Sequence, residues 1–263
     1  MYEVALRLGG LTIYWYGVLV TLGFFVGIWL ASRRALLVNV AGEQVVDLGT
    51  WLVLGAIVGA RAFYVIYFYP EFAGRGMFWE VFKIWHGGMV FHGGLVGAVV
   101  AAFFHLRHRR IPFWRMADIM APSIALGHSF GRIGYLLKGC CYGKPAGYWW
   151  AIHFPEDHVS HGIGVHPTQI YESVLNLALY LALAWWFRRR HHEGQVFAAY
   201  LAGYAVLRAT VELFRGDLET AYGSWLTPGM LISAIILPIG LFLLWRLRTQ
   251  PLAFPDGAGG RTA

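Results

Sequence analysis

Gly87–Leu106 reads GGMVFHGGLVGAVVAAFFHL, twenty residues without an acidic, lysine or arginine side chain. A helix of about that length spans the ~30 Å hydrocarbon core of a bilayer. Its entrance, WHGGMVFHGGLVG at Trp85–Gly97, carries His86 and His92 among Gly87, Gly88, Gly93 and Gly94. Each glycine costs a helix about 1 kcal/mol relative to alanine. Four in eight residues therefore imply close backbone approach, by a neighbouring helix or by a ligand. Imidazole is the side chain whose unperturbed titration falls nearest neutral pH, so a histidine at this entrance is a candidate proton acceptor.

Working outward, the composition agrees with a chain built for lipid. Of 263 residues, 58% are hydrophobic and only 13% charged, with mean hydropathy +0.54. A soluble domain carries about a quarter charged residues. The net charge of +7 does not indicate nucleic acid, because the basic residues gather at the ends of apolar runs. Cys140 and Cys141 are adjacent. They make neither a disulfide framework nor a C-x-x-C redox motif, and read as two small buried residues dispensable for chemistry. The first apolar run lacks the basic n-region and small-residue cleavage site of a removable leader.

Apolar windows place spans at 12–32, 46–68, 87–106, 117–137, 168–187, 195–213 and 226–245. The expected fold is an all-α polytopic membrane protein with about seven transmembrane helices, a single domain over 1–263. One side of these spans holds Arg33, Arg34, Arg107, Arg109, Arg110, Arg115, Arg188, Arg189, Arg190, Arg246, Arg248 and Arg261. The other holds Arg7, Arg75, Lys83, Lys138, Lys144 and Arg215. Twelve against six puts the first side in the cytoplasm, the N-terminus outside and the C-terminus inside, which an odd number of spans requires. Lys138–Pro167 is too long and too rich in Gly and Pro for a tight turn. It is expected to form a small outer, periplasmic cap with short strands, Trp149 and Trp150 lying at headgroup level.

Three basic residues remain inside spans: Arg61, Arg132 and Arg208. A buried arginine is costly, so each calls for a partner or a function. Glu212 follows Arg208 by four residues and can pair with it on one helix face. Arg61 and Arg132 have no carboxylate at helical spacing within their own spans, and an unpaired planar guanidinium suits a phosphate headgroup. HPTQIYE at His166–Glu172 opens the fifth span, where Glu172 is favourable at a helix start. No metal is expected: His86, His92 and His128 have no carboxylate or thiolate partner at ligand spacing.

Several motifs in order carry a family resemblance. YWYG at Tyr14–Gly17, GGMVFHGGLVG at Gly87–Gly97, GRIG at Gly131–Gly134, HPTQIYE at His166–Glu172 and GYAVLR…VELFR at Gly203–Arg215 all match. The chain resembles the prolipoprotein diacylglyceryl transferases of the bacterial inner membrane, over nearly its whole length. The resemblance implies transfer of the diacylglyceryl group of phosphatidylglycerol to the lipobox cysteine of a prolipoprotein signal peptide. A thioether forms and glycerol phosphate leaves, in a monomer that needs no cofactor and no nucleic acid. By matching motifs, His92, Arg132 and Arg208 take the positions needed for activity. Tyr16, Arg61, Gly93, Gly94, Gly131, Gly143, Tyr204, Glu212 and Arg215 take substrate-binding positions. The chain departs from the family after GRIG. Tyr135 and Lys138 replace asparagines, Cys140 replaces a glutamate, and His86 stands where an acid is common, while Gly139 and Gly143 are kept.

The residues suit that chemistry on their own terms. Cleaving a C–O bond to a phosphodiester needs stabilisation of the leaving phosphate, which Arg132 and Arg208 can supply. A thiol with a free pKa near ~8.5 needs a base, and His92 is the natural one. Tyr16 or Tyr204 can orient the headgroup by hydrogen bonds. Two other functions would use the same arginines: a divergent paralogue with another acceptor or no activity, and a membrane lipid transporter or binding protein. The absence of internal repeats disfavours the transporter.

Overall fold

The structure is a computed structural model that describes residues 3–9, 11–72, 77–83, 87–216 and 227–248. His86, Arg75 and Arg261 fall outside the described residues. The chain opens on a hairpin of β1 (Val4–Leu8) and β2 (Leu11–Tyr14). Helices follow: α1 (Trp15–Ala35), α2 (Gly42–Tyr67), the single turn α3 (Tyr69–Phe72), α4 (Phe91–His108) and α5 (Phe113–Lys138). A two-residue pairing of β3 (Ile152–His153) with β4 (Gly164–Val165) precedes α6 (Thr168–Phe187), α7 (Gln195–Glu212) and α8 (Pro228–Leu247).

Seven of the described helices have eighteen residues or more. Four segments, Trp15–Val38, Gly42–Tyr67, Thr168–Phe187 and Pro228–Leu247, are long and apolar enough to cross a membrane. The other three long helices, α4, α5 and α7, carry the histidines, arginines and carboxylates that lower their hydropathy. Large apolar side chains such as Phe25, Ile66, Phe104 and Ile235 point outward along these helices, as a lipid-facing surface requires. The chain is a helical, multi-pass membrane protein.

The fold divides into two compact units, Met1–Arg34 with Ala117–Ala263, and Ala35–Met116. In the smaller unit, α2 packs on α4 through glycines. A Cβ on Gly93 would lie 2.5 Å from the Gly59 carbonyl, and one on Gly55 would lie 2.5 Å from the Gly97 carbonyl. The two helices thus meet backbone to backbone, Gly55 and Gly59 facing Gly93 and Gly97, in the small-xxx-small manner of membrane helices. This decides between the two explanations open for Gly93: the space it leaves is filled by α2. Gly87 and Gly88 do not belong to the helix. Both have positive φ, +83° and +74°, and form a turn that delivers the chain to Val90, the residue preceding α4.

In the larger unit, small residues and hydroxyls bring helices together. A Cβ on Gly23 of α1 would meet Phe130 of α5 at 2.8 Å, and one on Gly240 of α8 would meet the Ala202 nitrogen of α7 at 2.7 Å. Ser173 of α6 donates to the Ser129 carbonyl of α5 at 2.9 Å. Asp118, fully buried on α5, accepts from the Gly194 and Phe197 amides at 2.8 and 2.9 Å and so caps the start of α7. Residues 139–167 fold back against the ends of α6 and α7. Gly143 donates to the His166 carbonyl at 2.9 Å, Lys144 to the Phe214 carbonyl at 2.8 Å, and Gly216 to the Tyr142 carbonyl at 3.2 Å.

Candidate active site

Three helices of the larger unit turn polar stripes toward one another. His128, Arg132 and Tyr135 recur at helical spacing on α5, Gln169, Glu172 and Asn176 on α6, and Tyr204, Arg208 and Glu212 on α7. Glu172 is the hub. Its side chain is 1% exposed, with Oε1 2.8 Å from Arg132 Nη2 and Oε2 3.3 Å from Arg208 Nη1. Arg208 Nη2 also reaches Glu212 Oε2 at 2.7 Å, and Arg215 Nη1 lies 3.6 Å from the same oxygen. Three guanidiniums thus meet two buried carboxylates in a place nearly closed to water.

The pairing of Arg208 with Glu212 is the one the i,i+4 spacing predicts. Arg132 is corrected: it is not unpaired, because Glu172 of α6 reaches it across the helix interface. Spacing within one helix cannot reveal such a partner. Glu172 shows in the sequence only as an acid favourable at a helix start, within a motif of the family, and its partners lie on other helices. The usable signal is the count of charges, two intramembrane arginines without an acid at helical spacing in their own spans beside a motif that carries one.

Neighbouring groups hold this network in place. The carboxylate of Glu212 packs on the first turn of α8, where a Cβ on Gly229 would come within 2.6 Å of it. That turn is the positive end of the helix, favourable to an anion. The His128 ring stacks on Tyr204, centroids 5.2 Å apart and planes at 17°. The pair ties α5 to α7 one turn before Arg132 and Arg208. The Arg132 guanidinium stands over the Tyr135 ring at 5.3 Å, and the Tyr135 hydroxyl lies 3.3 Å from that of Tyr16. Tyr16 in turn lines a cavity of about 460 Å³ with Glu3, Ile13, Tyr14, Gly17 and Lys138. Among the described residues, Gly131, half-buried on α5, has only a distant Val20 methyl beside its open Cβ position. His128 Nδ1 and Gln169 Oε1 are buried with no hydrogen-bond partner among the described residues. Buried polar atoms are ordinarily satisfied, so these two are positions where a hydroxyl-bearing ligand or water would bind.

The residues around Gly143 are fixed by backbone packing. A Cβ there would lie 2.5 Å from His166 Cβ and 2.7 Å from the Phe214 carbonyl, so only glycine fits. Cys140 and Cys141 precede it. Their carbonyls accept from Gln169 Nε2 at 2.8 Å and from Thr168 Oγ1 at 2.7 Å. The departures at Tyr135, Lys138 and Cys140 thus gather at the end of α5, between the Tyr16 cavity and the start of α6.

The smaller unit holds the other sequence-predicted residues. His92 is the second residue of α4 and is exposed; Gly93 and Gly94 after it are buried. Arg61 donates from Nε to the Val81 carbonyl at 2.8 Å and from Nη1 to the Gly87 and Gly88 carbonyls at 2.8 and 3.0 Å. Its guanidinium also stands 5.4 Å from the Tyr64 ring. Arg61 therefore fixes the glycine turn that leads into His92.

The family model described as prolipoprotein diacylglyceryl transferase matches residues 3–246. The chain belongs to the prolipoprotein diacylglyceryl transferase family. Similar proteins include the phosphatidylglycerol–prolipoprotein diacylglyceryl transferase of Geobacillus kaustophilus, 36% identical over 94% of this chain and 93% of that relative. Those of Thermosynechococcus vestitus and Nitratidesulfovibrio vulgaris are 33% and 35% identical, over 95% and 93% of this chain and 94% and 93% of theirs. Every site residue discussed above lies inside the matched region of the prolipoprotein diacylglyceryl transferase family.

Proposed function

We propose that this chain transfers the diacylglyceryl group of phosphatidylglycerol to the thiol of the lipobox cysteine of prolipoproteins. The observation that carries the reading is the arginine network around Glu172, in a chain whose relatives are named for that reaction. Its guanidiniums suit the phosphodiester of an anionic lipid, and the charge on phosphate grows as the C–O bond breaks. Arg132 and Arg208 are assigned to that phosphate, Glu212 and Arg215 to holding Arg208 in register, and Tyr16 and Tyr204 to the headgroup. The open hydrogen-bonding positions on His128 and Gln169 suit the hydroxyls of a glycerol headgroup.

The bonds balance without a cofactor or metal. The thiol gives its proton to a base, for which His92 is the residue of suitable chemistry. Sulfur then bonds to the terminal glyceryl carbon of the diacylglyceryl group, and the C–O bond to phosphate breaks. Glycerol phosphate leaves with the electron pair. Arg61, Gly93 and Gly94 act on this step by fixing the start of α4. Gly131 and Gly143 act by letting α5 and the 139–145 segment pack closely.

The chain is read as one integral domain, a monomer in the bacterial inner membrane. It has seven spans, the N-terminus outside and residues 138–167 as an outer cap, with Trp149, 91% exposed, at the headgroups. Two experiments test the reading. Expression in a bacterium depleted of its own transferase should restore growth and lipoprotein modification; failure by a chain that reaches the membrane would favour a paralogue with another acceptor. Single-cysteine labelling should find position 149 accessible from outside and position 109 from the cytoplasm, and the reverse pattern would reject the orientation.

A further inference from the structure

We propose that Cys140 and Cys141 form a modification site, a vicinal dithiol that a two-electron oxidant closes reversibly to a disulfide. Closure disables the enzyme by releasing the first turn of α6. The loss of activity rests on the function proposed above; the closure itself does not.

Neither cysteine is in a disulfide; both are half-buried, and their sulfurs already lie 3.2 Å apart. A disulfide bond is about 2.05 Å long, so closure needs roughly 1.2 Å of approach. Adjacent Cα atoms across a trans peptide are about 3.8 Å apart, shorter than the ~4.4–6.8 Å that disulfides prefer. The peptide between the cysteines must therefore turn as the ring closes. Strained bridges of this kind are readily reduced again, which makes the site reversible. Cys141 already holds an uncommon left-handed conformation, φ +66°.

The peptide that must turn is tied to the active site. Its carbonyl, on Cys140, accepts from Gln169 Nε2 at 2.8 Å, and the next one accepts from Thr168 Oγ1 at 2.7 Å. Gln169 is 1% exposed and its Oε1 has no hydrogen-bond partner among the described residues, so turning that carbonyl takes from a buried amide the hydrogen bond it makes there. Glu172 follows three residues later on the same helix face, holding Arg132 and Arg208. Movement at Gln169 is thus passed to the carboxylate that positions both arginines.

One thiolate attacks the oxidant, and the second displaces the reduced half. The two thiols lose two protons and two electrons, and an azo oxidant such as diamide gains them to become the hydrazine. The purified full-length protein in phosphatidylglycerol-containing nanodiscs should, on treatment with diamide, lose the mass of two hydrogens. It should also lose transfer activity at least tenfold, and dithiothreitol should restore both. A Cys140→Ser/Cys141→Ser double variant should keep its activity before and after diamide. Loss of two hydrogens with unchanged activity would overturn the coupling, as would equal inactivation of the double variant. No mass loss, or only addition of oxygen atoms, would overturn the closure. If the reduced chain shows no transfer at all, amide hydrogen exchange at 168–172 still decides: faster exchange after closure supports the device, and unchanged exchange overturns it.

Discussion

Replacing Glu172 by glutamine keeps the shape of the hub and removes its charge. Glu172 meets Arg132 at 2.8 Å and Arg208 at 3.3 Å, and both arginine side chains are 12% exposed, so little water can compensate. A hydrogen bond to a charged group contributes about 1.5–3 kcal/mol, and the 3.3 Å contact belongs at the low end of that range. Glutamine retains one acceptor, which recovers part of one bond. The expected loss is about 2–3 kcal/mol for Glu172→Gln, and about 3–5 kcal/mol for Glu172→Ala, the range for removing one partner of a buried ion pair. Expressed in the transition state, about 2–3 kcal/mol is roughly a 30- to 150-fold fall in kcat/KM. The assay is transfer to a lipobox peptide in phosphatidylglycerol vesicles, run beside a thermal unfolding measurement on the same preparations. Glu172→Asp keeps the charge but withdraws it by one methylene, so it should fall between wild type and glutamine. A Glu172→Gln protein with wild-type kcat/KM and wild-type thermal midpoint would refute the claim that this carboxylate positions the arginines.

Gly143→Ala should cost at least the ~1–3 kcal/mol of an overpacked site, because its Cβ would lie 2.5 Å from His166 Cβ; a lowered unfolding midpoint with loss of transfer checks this. Arg61→Lys should loosen the turn at Gly87 and Gly88, since one ammonium cannot reach both the Val81 carbonyl and the Gly87–Gly88 carbonyls; faster hydrogen exchange at residues 87–91 is the readout, and wild-type protection there would count against it. The Cys141 thiol is pushed above the ordinary thiol range by its hydrogen bond with Cys140 and by burial. A raised pKa means less thiolate at a given pH, so site-resolved alkylation of Cys141 should be slower than that of a free cysteine at pH 7–8. It should rise only at higher pH, and a rate matching free cysteine would contradict the arrangement.

What the sequence discloses follows from the range over which each signal acts. Apolar windows and helix propensity are local, so the long helices lie close to their predicted windows. The start of α4 is displaced because Gly87 and Gly88 count as apolar in a window, yet they adopt positive φ and end the preceding loop. The pairing of Arg208 with Glu212 is local and legible; that of Arg132 with Glu172 joins two helices and is not. Gly93 alone does not say whether a helix or a ligand approaches it; Gly59 on α2 fills the space beside it. Cys140 and Cys141 read as small buried residues, whereas they are half-buried with their sulfurs side by side. Gly229 gives no signal at all, because its importance lies in the Glu212 carboxylate it lets approach.

The central claim is that this chain moves a diacylglyceryl group from an anionic lipid to a thiol, using the arginines around Glu172. The most direct measurement incubates the purified protein with phosphatidylglycerol vesicles and a lipobox peptide and follows both products by mass spectrometry. The account predicts that the peptide cysteine gains a diacylglyceryl group while glycerol phosphate is released in equal amount. Arg132→Ala and Arg208→Ala should each slow the reaction strongly, and His92→Gln should abolish most of it, with partial recovery at higher pH as the peptide forms thiolate unaided. A wild-type protein that binds the lipid yet never modifies the peptide, or Arg132→Ala and Arg208→Ala proteins that turn over normally, would contradict it.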